Sequence, residues 1–326
     1  MRGLALKLVN EKIRKEVISV EDVYHDQSNS EYKFTVKGGN SGIKLRVRTF
    51  ARTGPRQVKE FTNRLEISGY DDFTTLYELL EQKGFPLPRI LDSGTIAYER
   101  DIYEYQILEV IQGTALRKSI LDHKDPDAGS VHLMLEHAAE VSAAMHAITR
   151  PVYGKITGQE DFNYTDELMQ SIDTLFAMLC KKNDEFDFNR GGIEDYIRKQ
   201  KSRWSAPDTF VLSPESLPFG VLGRDSKVYI TRLENILFRD LRYVLAQTEL
   251  LFTSQGKEAV FKTFMMHYTR RNPRAAAYDD VRAIYLLYSH FITMQKAYSA
   301  MPDQEADKAA IARCEKSIME LLSISQ

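Results

Sequence analysis

The sequence predicts an α+β protein of two lobes, a small sheet-rich lobe over residues 1–112 and a larger helical lobe over 113–326. Three observations predict it. Residues 17–50 carry runs of alternating apolar and polar side chains, the period-2 signature of half-buried strands. Beyond residue 113 almost every periodic segment has helical spacing instead. One island of strand-like sequence, FVLSPESLPFGVLGRDSKVYITRLENILF at 210–238, interrupts those helices.

Each element follows from its residues. MRGLALKLVNEKIRKEV breaks its apolar positions with Lys7, Asn10, Glu11 and Lys12, so it reads as a short amphipathic helix and not as a signal-peptide core. VISVEDVYH, EYKFTVKG and GIKLRVRTF are three strands, the last two joined by the turn-forming KGGNSG, which makes an antiparallel meander. From Gln57 to Lys83 the pattern turns helical, with Leu76, Leu79 and Leu80 on one face and Gly84 as a stop. FPLPRILDSG is extended because Pro86 and Pro88 forbid helix. TIAYER and YEYQILEVI complete a five-stranded sheet, and Glu109 to Gly113 form the connector. The helical lobe then holds SVHLMLEHAAEVSAAMHAIT, TDELMQSIDTLFAMLCKK, IEDYIRKQKSRW, EAVFKTFMMHYTRR, YDDVRAIYLLYSHFITMQKAYSA and DKAAIARCEKSIMELLS.

Composition narrows the function classes. With 44 basic and 46 acidic side chains in 326 residues, the formal charge of -2 offers no long-range field for nucleic acid or an acidic membrane. No apolar run approaches the ~20 residues that span a bilayer, and Cys180 and Cys314 stand alone without metal or disulfide spacing. These features predict a cytoplasmic protein with no metal site, no nucleic-acid partner and no membrane partner.

Several local patterns resemble the aminoglycoside phosphotransferase and choline kinase branch of the protein-kinase-like fold. GFPLPRILDSG resembles that family's entry into its fourth strand, and YEYQILEVIQGTAL its hinge strand. EVSAAMHAI resembles the helix with a Leu-His pair, here Met145-His146, and Tyr153-Gly154 the aromatic-glycine step after it. SPESLPFGVL fits the frame of the catalytic loop His-Gly-Asp-Leu-His-x-x-Asn. That frame puts Ser213 at its first position, Glu215 at the catalytic Asp and Gly220 at the metal-binding Asn. In VYITRLENILFRDLRYVLA, Arg232 replaces the metal-binding Asp, while Glu234 and Asp240 match later acidic positions.

The resemblance implies an ATP- or ADP-binding fold, and the departures imply lost catalysis. Phosphoryl transfer rests on positioning and on magnesium neutralising the phosphates. Gly220 offers no ligand atom, and a cation at Arg232 repels a second cation by about 4 kcal/mol per unit charge at ~4 Å and an effective dielectric of ~20. Magnesium is therefore not expected. Glu215 carries its carboxylate about an ångström too far out, a displacement that can cost roughly a hundredfold. The expected phosphate loop, YHDQSNSEY, contains no glycine. Arg46 best matches the phosphate-binding lysine, with Lys44 and Arg48 as alternatives on the same strand face, and its helical glutamate partner would fall near Asp72 or Phe73. Arg46, Glu109, Ile111 and Glu234 are the remnants of a nucleotide pocket, and Arg232 is expected to pair with Glu215 or Glu234 in place of magnesium.

Among the remaining candidates, His146 reads as a satisfied core histidine, Tyr285, Tyr288 and Phe291 as core, and RRNPR at 270–274 as solvated charge. The reading is a pseudokinase with an aminoglycoside-phosphotransferase-like fold that acts by binding, as scaffold or allosteric subunit of a protein partner or as a homodimer. The alternatives are a phosphotransferase or other nucleotide-using enzyme with an unconventional, metal-poor site, and a sensor that takes a small molecule into the interlobe acceptor cleft.

Overall fold

A computed structural model of the chain describes residues 2–25, 29–38, 43–51, 73–99, 101–123, 128–158, 163–216, 220–233, 236–299 and 305–323. Asp72, Glu234, residues 39–42 of the glycine turn, residues 26–28 of the expected phosphate loop and the stretch from Gln57 to residue 72 lie outside them. Contacts within the chain form two compact units. The first comprises Met1–Thr62, Tyr77–Thr114 and Val221–Arg232; the second comprises Asn63–Leu76, Ala115–Gly220 and Leu233–Gln326. The segment Val221–Arg232, expected in the helical lobe, thus clusters with the N-terminal sheet.

In the first unit, helix α1 (Arg2–Leu8) runs into one π-helical turn, Val9–Ile13, which stops at left-handed Arg14. Strands β1 (Val17–His25), β2 (Asn29–Val36) and β3 (Ile43–Ala51) follow. Helix α2 (Phe73–Gln82) precedes β4 (Ile90–Tyr98) and β5 (Asp101–Glu109). The five strands form one antiparallel sheet in the order β1-β2-β3-β5-β4. This is the expected sheet, with β4 starting five residues earlier than the run TIAYER suggests.

Register decides what each face of the sheet carries. Glu31 pairs with Arg48 and Arg48 with Gln106; one residue along, Tyr32 pairs with Val47 and Val47 with Ile107. Since side chains alternate along a strand, these two rows point to opposite faces. Tyr32, Phe34, Leu45, Val47, Tyr105 and Ile107 therefore line one face, and Leu4, Leu8 and Val9 bury it. Glu31, Arg46, Arg48 and Gln106 share the other. Two small hairpin strands, β9 (Val221–Gly223) and β10 (Val228–Tyr229), join the connector strand β6 (Gly113–Ala115) in a second sheet.

The second unit is helical: α3 (Leu116–Asp122), α4 (Gly129–His146), α5 (Tyr164–Cys180), α6 (Asp184–Phe188), α7 (Arg190–Lys201), α8 (Leu241–Thr253), α9 (Glu258–Arg271), α10 (Tyr278–Ser299) and α11 (Glu305–Ser323). A small sheet in the order β11-β8-β7 is set among them, from β7 (Thr149–Arg150), β8 (Phe210–Ser213) and β11 (Leu237–Arg239). Helix α10 forms much of the core: Tyr285, Tyr288 and Phe291 are buried, and Phe291 stacks on Phe176 with ring centroids 5.8 Å apart. Cys180 and Cys314 are buried free thiols. Among the described residues, no helix is long and apolar enough to cross a membrane.

Candidate functional site

The charged face of the first unit's sheet closes on itself. Arg48, only 2% exposed at its side chain, donates from Nε to Glu31 Oε2 at 2.9 Å and from Nη2 to the Thr231 carbonyl at 2.7 Å. Arg46 donates from Nη1 to the same carbonyl at 2.8 Å, and its Nε lies 3.1 Å from Glu31 Oε1. That last approach is a charge contact off the N–H direction, since Oε1 accepts no hydrogen bond. One carboxylate and one backbone oxygen therefore hold two guanidiniums. The partner expected near Asp72 lies outside the described residues; among those described, the carboxylate against both arginines is Glu31, directly across from Arg48 on β2. Arg46 and Arg48 share the same two acceptors, whereas Lys44 is exposed.

Arg232 directly follows the clasped carbonyl and is exposed. Its expected partner Glu234 lies outside the described residues. Glu215, in the second unit, is half-buried and sits 3.9 Å from Lys296 Nζ. An ion pair so accessible to water contributes little. Gly220 has φ of 103°, a conformation that favours glycine, and its carbonyl accepts from Leu116 N at 3.1 Å. It serves as a backbone anchor.

The connector keeps close backbone packing. Glu109 N donates to Arg89 O at 3.0 Å and Val110 N to Lys44 O at 3.2 Å, while the exposed Glu109 carboxylate lies 3.6 Å from Arg89 Nε. Ile111 is partly buried just beyond. At Gly113 a Cβ would sit 2.1 Å from the Leu222 carbonyl oxygen, so only glycine lets β6 approach β9 this closely.

Behind the loop that starts at Ser213, the second unit holds a buried polar relay. Asn272 Nδ2 donates to Tyr268 Oη at 2.7 Å, Tyr268 bonds His146 Nδ1, and His146 Nε2 lies 2.9 Å from Ser213 Oγ. With Asn272 donating to its oxygen, the phenol turns its proton to Nδ1, and the neutral ring donates from Nε2 to Ser213. Complete burial, with Arg274 nearby, pushes the His146 pKa down to about 3. His146 is thus the satisfied core histidine expected. Arg274 donates to the His146 carbonyl at 2.8 Å and Arg271 to Glu136 at 2.9 Å, so this basic cluster is pinned and not merely solvated.

Asp240 caps α8 by accepting from Arg242 N at 2.9 Å, binds the Arg242 guanidinium and accepts from Tyr285 Oη. Arg242 lies over the Trp204 ring, 5.4 Å from its centroid. With every oxygen engaged and the residue buried, Asp240 holds the helix entry in place.

The fold invites a test of magnesium. The positions expected to hold it present Gly220, which has no side-chain donor, and Arg232, an exposed cation. This donor set does not fit a divalent cation.

Solved structures similar to the chain are aminoglycoside phosphotransferases and choline kinases. The aminoglycoside phosphotransferase APH(4)-Ia matches with a TM-score of 0.61 at 14% identity, over 99% of this chain and 99% of that one. A choline kinase from Streptococcus pneumoniae matches with a TM-score of 0.52 at 15% identity over 97% and 98%. A choline kinase from Cryptosporidium parvum Iowa II gives 0.53 at 11% over 97% and 90%. No family model and no curated protein sequence matches the chain. The chain has the α+β, protein-kinase-like fold of these phosphotransferases.

Proposed function

We propose that this chain is a catalytically degenerate phosphotransferase-like protein, a pseudokinase that acts by binding, as the scaffold or allosteric subunit of a protein partner. The observation that carries the reading is the closed charge cluster of Glu31, Arg46, Arg48 and the Thr231 carbonyl. In a phosphotransferase the cation on β3, itself paired with a glutamate, must still reach the phosphate oxygens. Here Arg46 and Arg48 are held by Glu31 and also donate to the Thr231 carbonyl, a backbone oxygen that competes with phosphate for their donors. Gly220 and Arg232 remove the side chains that would recruit magnesium, and among the described residues the ion-pair contact of the half-buried Glu215 is Lys296 at 3.9 Å.

The test is a thermal-shift titration of ATP and ADP with and without magnesium, paired with measurement of ATP turnover, on the wild type and on Arg232→Asp. The expected result is no magnesium-dependent stabilisation and no turnover above buffer for the wild type. Magnesium-dependent turnover that falls in Glu215→Gln would overturn the reading and return the chain to the active phosphotransferases. Metal-independent nucleotide binding lost in Arg232→Asp would favour the unconventional enzyme, with Arg232 as its phosphate-neutralising group.

A further inference from the structure

In the second unit, helix α4 carries an imidazole near each end, and both meet α9. His146, the last residue of α4, is satisfied on both nitrogens by Tyr268 and Ser213. His132, one turn into the helix, meets His267 of α9 edge to face, with ring centroids 6.1 Å apart. This second contact is bonded differently: among the described residues, the buried Nε2 of His267 has no hydrogen-bond partner. The charged groups around His267 are Glu136 and His132 from α4 and Arg270 and Arg271 from α9 itself. Glu136 favours a proton on the ring, but it already accepts from Arg271 at 2.9 Å. Toward α8, α9 presents Phe261 to Phe252, and the turn after α9 supplies Arg274, which donates to the His146 carbonyl. Ahead of α9, Lys257 donates to the His123 carbonyl at 2.7 Å.

We propose that the His132–His267 contact is an acid-sensitive latch, in which protonation of His267 releases the start of α4 from α9 while His146 keeps the end of α4 in place. A proton on Nε2 creates a charged donor with no acceptor, against a second imidazole and beside two arginines. Opening the contact gives both ring nitrogens access to water. Burial is the largest influence holding the His267 pKa below its ordinary 6.5; Glu136 opposes it, and Arg271, His132 and Arg270 add to it. A histidine that binds its proton more readily once released contributes fully above pH ~6.5 and loses that contribution as pH falls, by up to about tenfold in the opening equilibrium per pH unit. His146 is completely buried, with its pKa pushed down to about 3, so it holds through the range in which His267 lets go. The two ends of one helix thus respond to acid separately.

The experiment is hydrogen–deuterium exchange read by mass spectrometry on the full chain between about pH 7.5 and pH 5, with rates corrected for the intrinsic pH dependence of exchange. His267→Gln and His267→Met remove the titrating group in two ways, and thermal melts at the upper pH check that each variant folds. The expected result for the wild type is protection over residues 129–137 that falls by up to about tenfold per pH unit below ~6.5, with residues 140–146 unchanged. Either folded variant should keep residues 129–137 equally protected across the range. A wild type whose protection there changes by less than about twofold would overturn the proposal, as would an equal fall in a folded variant or an equal fall along the whole of α4.

Discussion

Replacing Arg48 with methionine tests the charge cluster most directly. Methionine keeps much of the length of the side chain but removes the bond to Glu31 at 2.9 Å and the bond to the Thr231 carbonyl at 2.7 Å. Glu31 would remain buried with Arg46 as its cationic neighbour among the described residues, and its Oε1 already accepts no hydrogen bond there. Breaking a buried pair from one side costs about 3–5 kcal/mol because the remaining charge stays desolvated. Replacing both partners with apolar groups of similar size is often close to neutral. The single variant Arg48→Met should therefore lose about 3–5 kcal/mol, while Glu31→Leu with Arg48→Met should recover most of it. Urea titrations followed by circular dichroism, run as a double-mutant cycle, measure both. A single variant that loses less than about 1 kcal/mol, or a double variant as unstable as the sum of the two singles, would refute the claim that this face is internally neutralised.

The remaining predictions address other elements. Gly113→Ala should destabilise by about 1–3 kcal/mol, an overpacking cost, because the new Cβ meets the Leu222 carbonyl; a melt within a degree or so of wild type would show that β6 and β9 yield freely. His146, neutral in the fold with a pKa of about 3 against an ordinary 6.5, binds its proton more readily when unfolded. Its contribution is full above pH ~6.5 and is lost as pH falls toward 3, at up to ~1.4 kcal/mol per pH unit; His146→Gln, measured between pH 7 and 4, should flatten that part of the stability profile, and an unchanged slope would count against the relay. Asp240→Asn leaves the buried Arg242 guanidinium without its counter-charge and should cost about 3–5 kcal/mol in denaturant titrations. Glu215→Gln should change stability by no more than about 0.5 kcal/mol, since its pairing with Lys296 is long and wet.

Most of the fold can be read in the sequence because its sheet alternates cleanly. The row Tyr32, Val47 and Ile107 is apolar and the row Glu31, Arg48 and Gln106 polar, so period-2 patterning identifies the strands and their buried face. Helix α8 escapes the same approach: most of its residues are buried on all sides, Arg242, Thr248 and Glu249 included, which erases the amphipathic stripe. Helix α3 spans only seven residues, too short for periodicity to register. At the candidate site, Glu215, Gly220 and Arg232 are singled out by frame alone, but Glu31 is not. Its role depends on strand register across β2 and β3, a long-range property that turn lengths fix and local pattern does not. The pinning of Arg271 and Arg274 is hidden for the same reason, since Glu136 and the His146 carbonyl are distant in sequence.

The shared carbonyl of Thr231 also makes the hold on the segment after β10 redundant. Two arginines of β3 donate to one backbone oxygen, an acceptor that no side-chain substitution at 231 removes. Loss of either guanidinium leaves the other on that oxygen, so undoing this attachment takes two substitutions and not one.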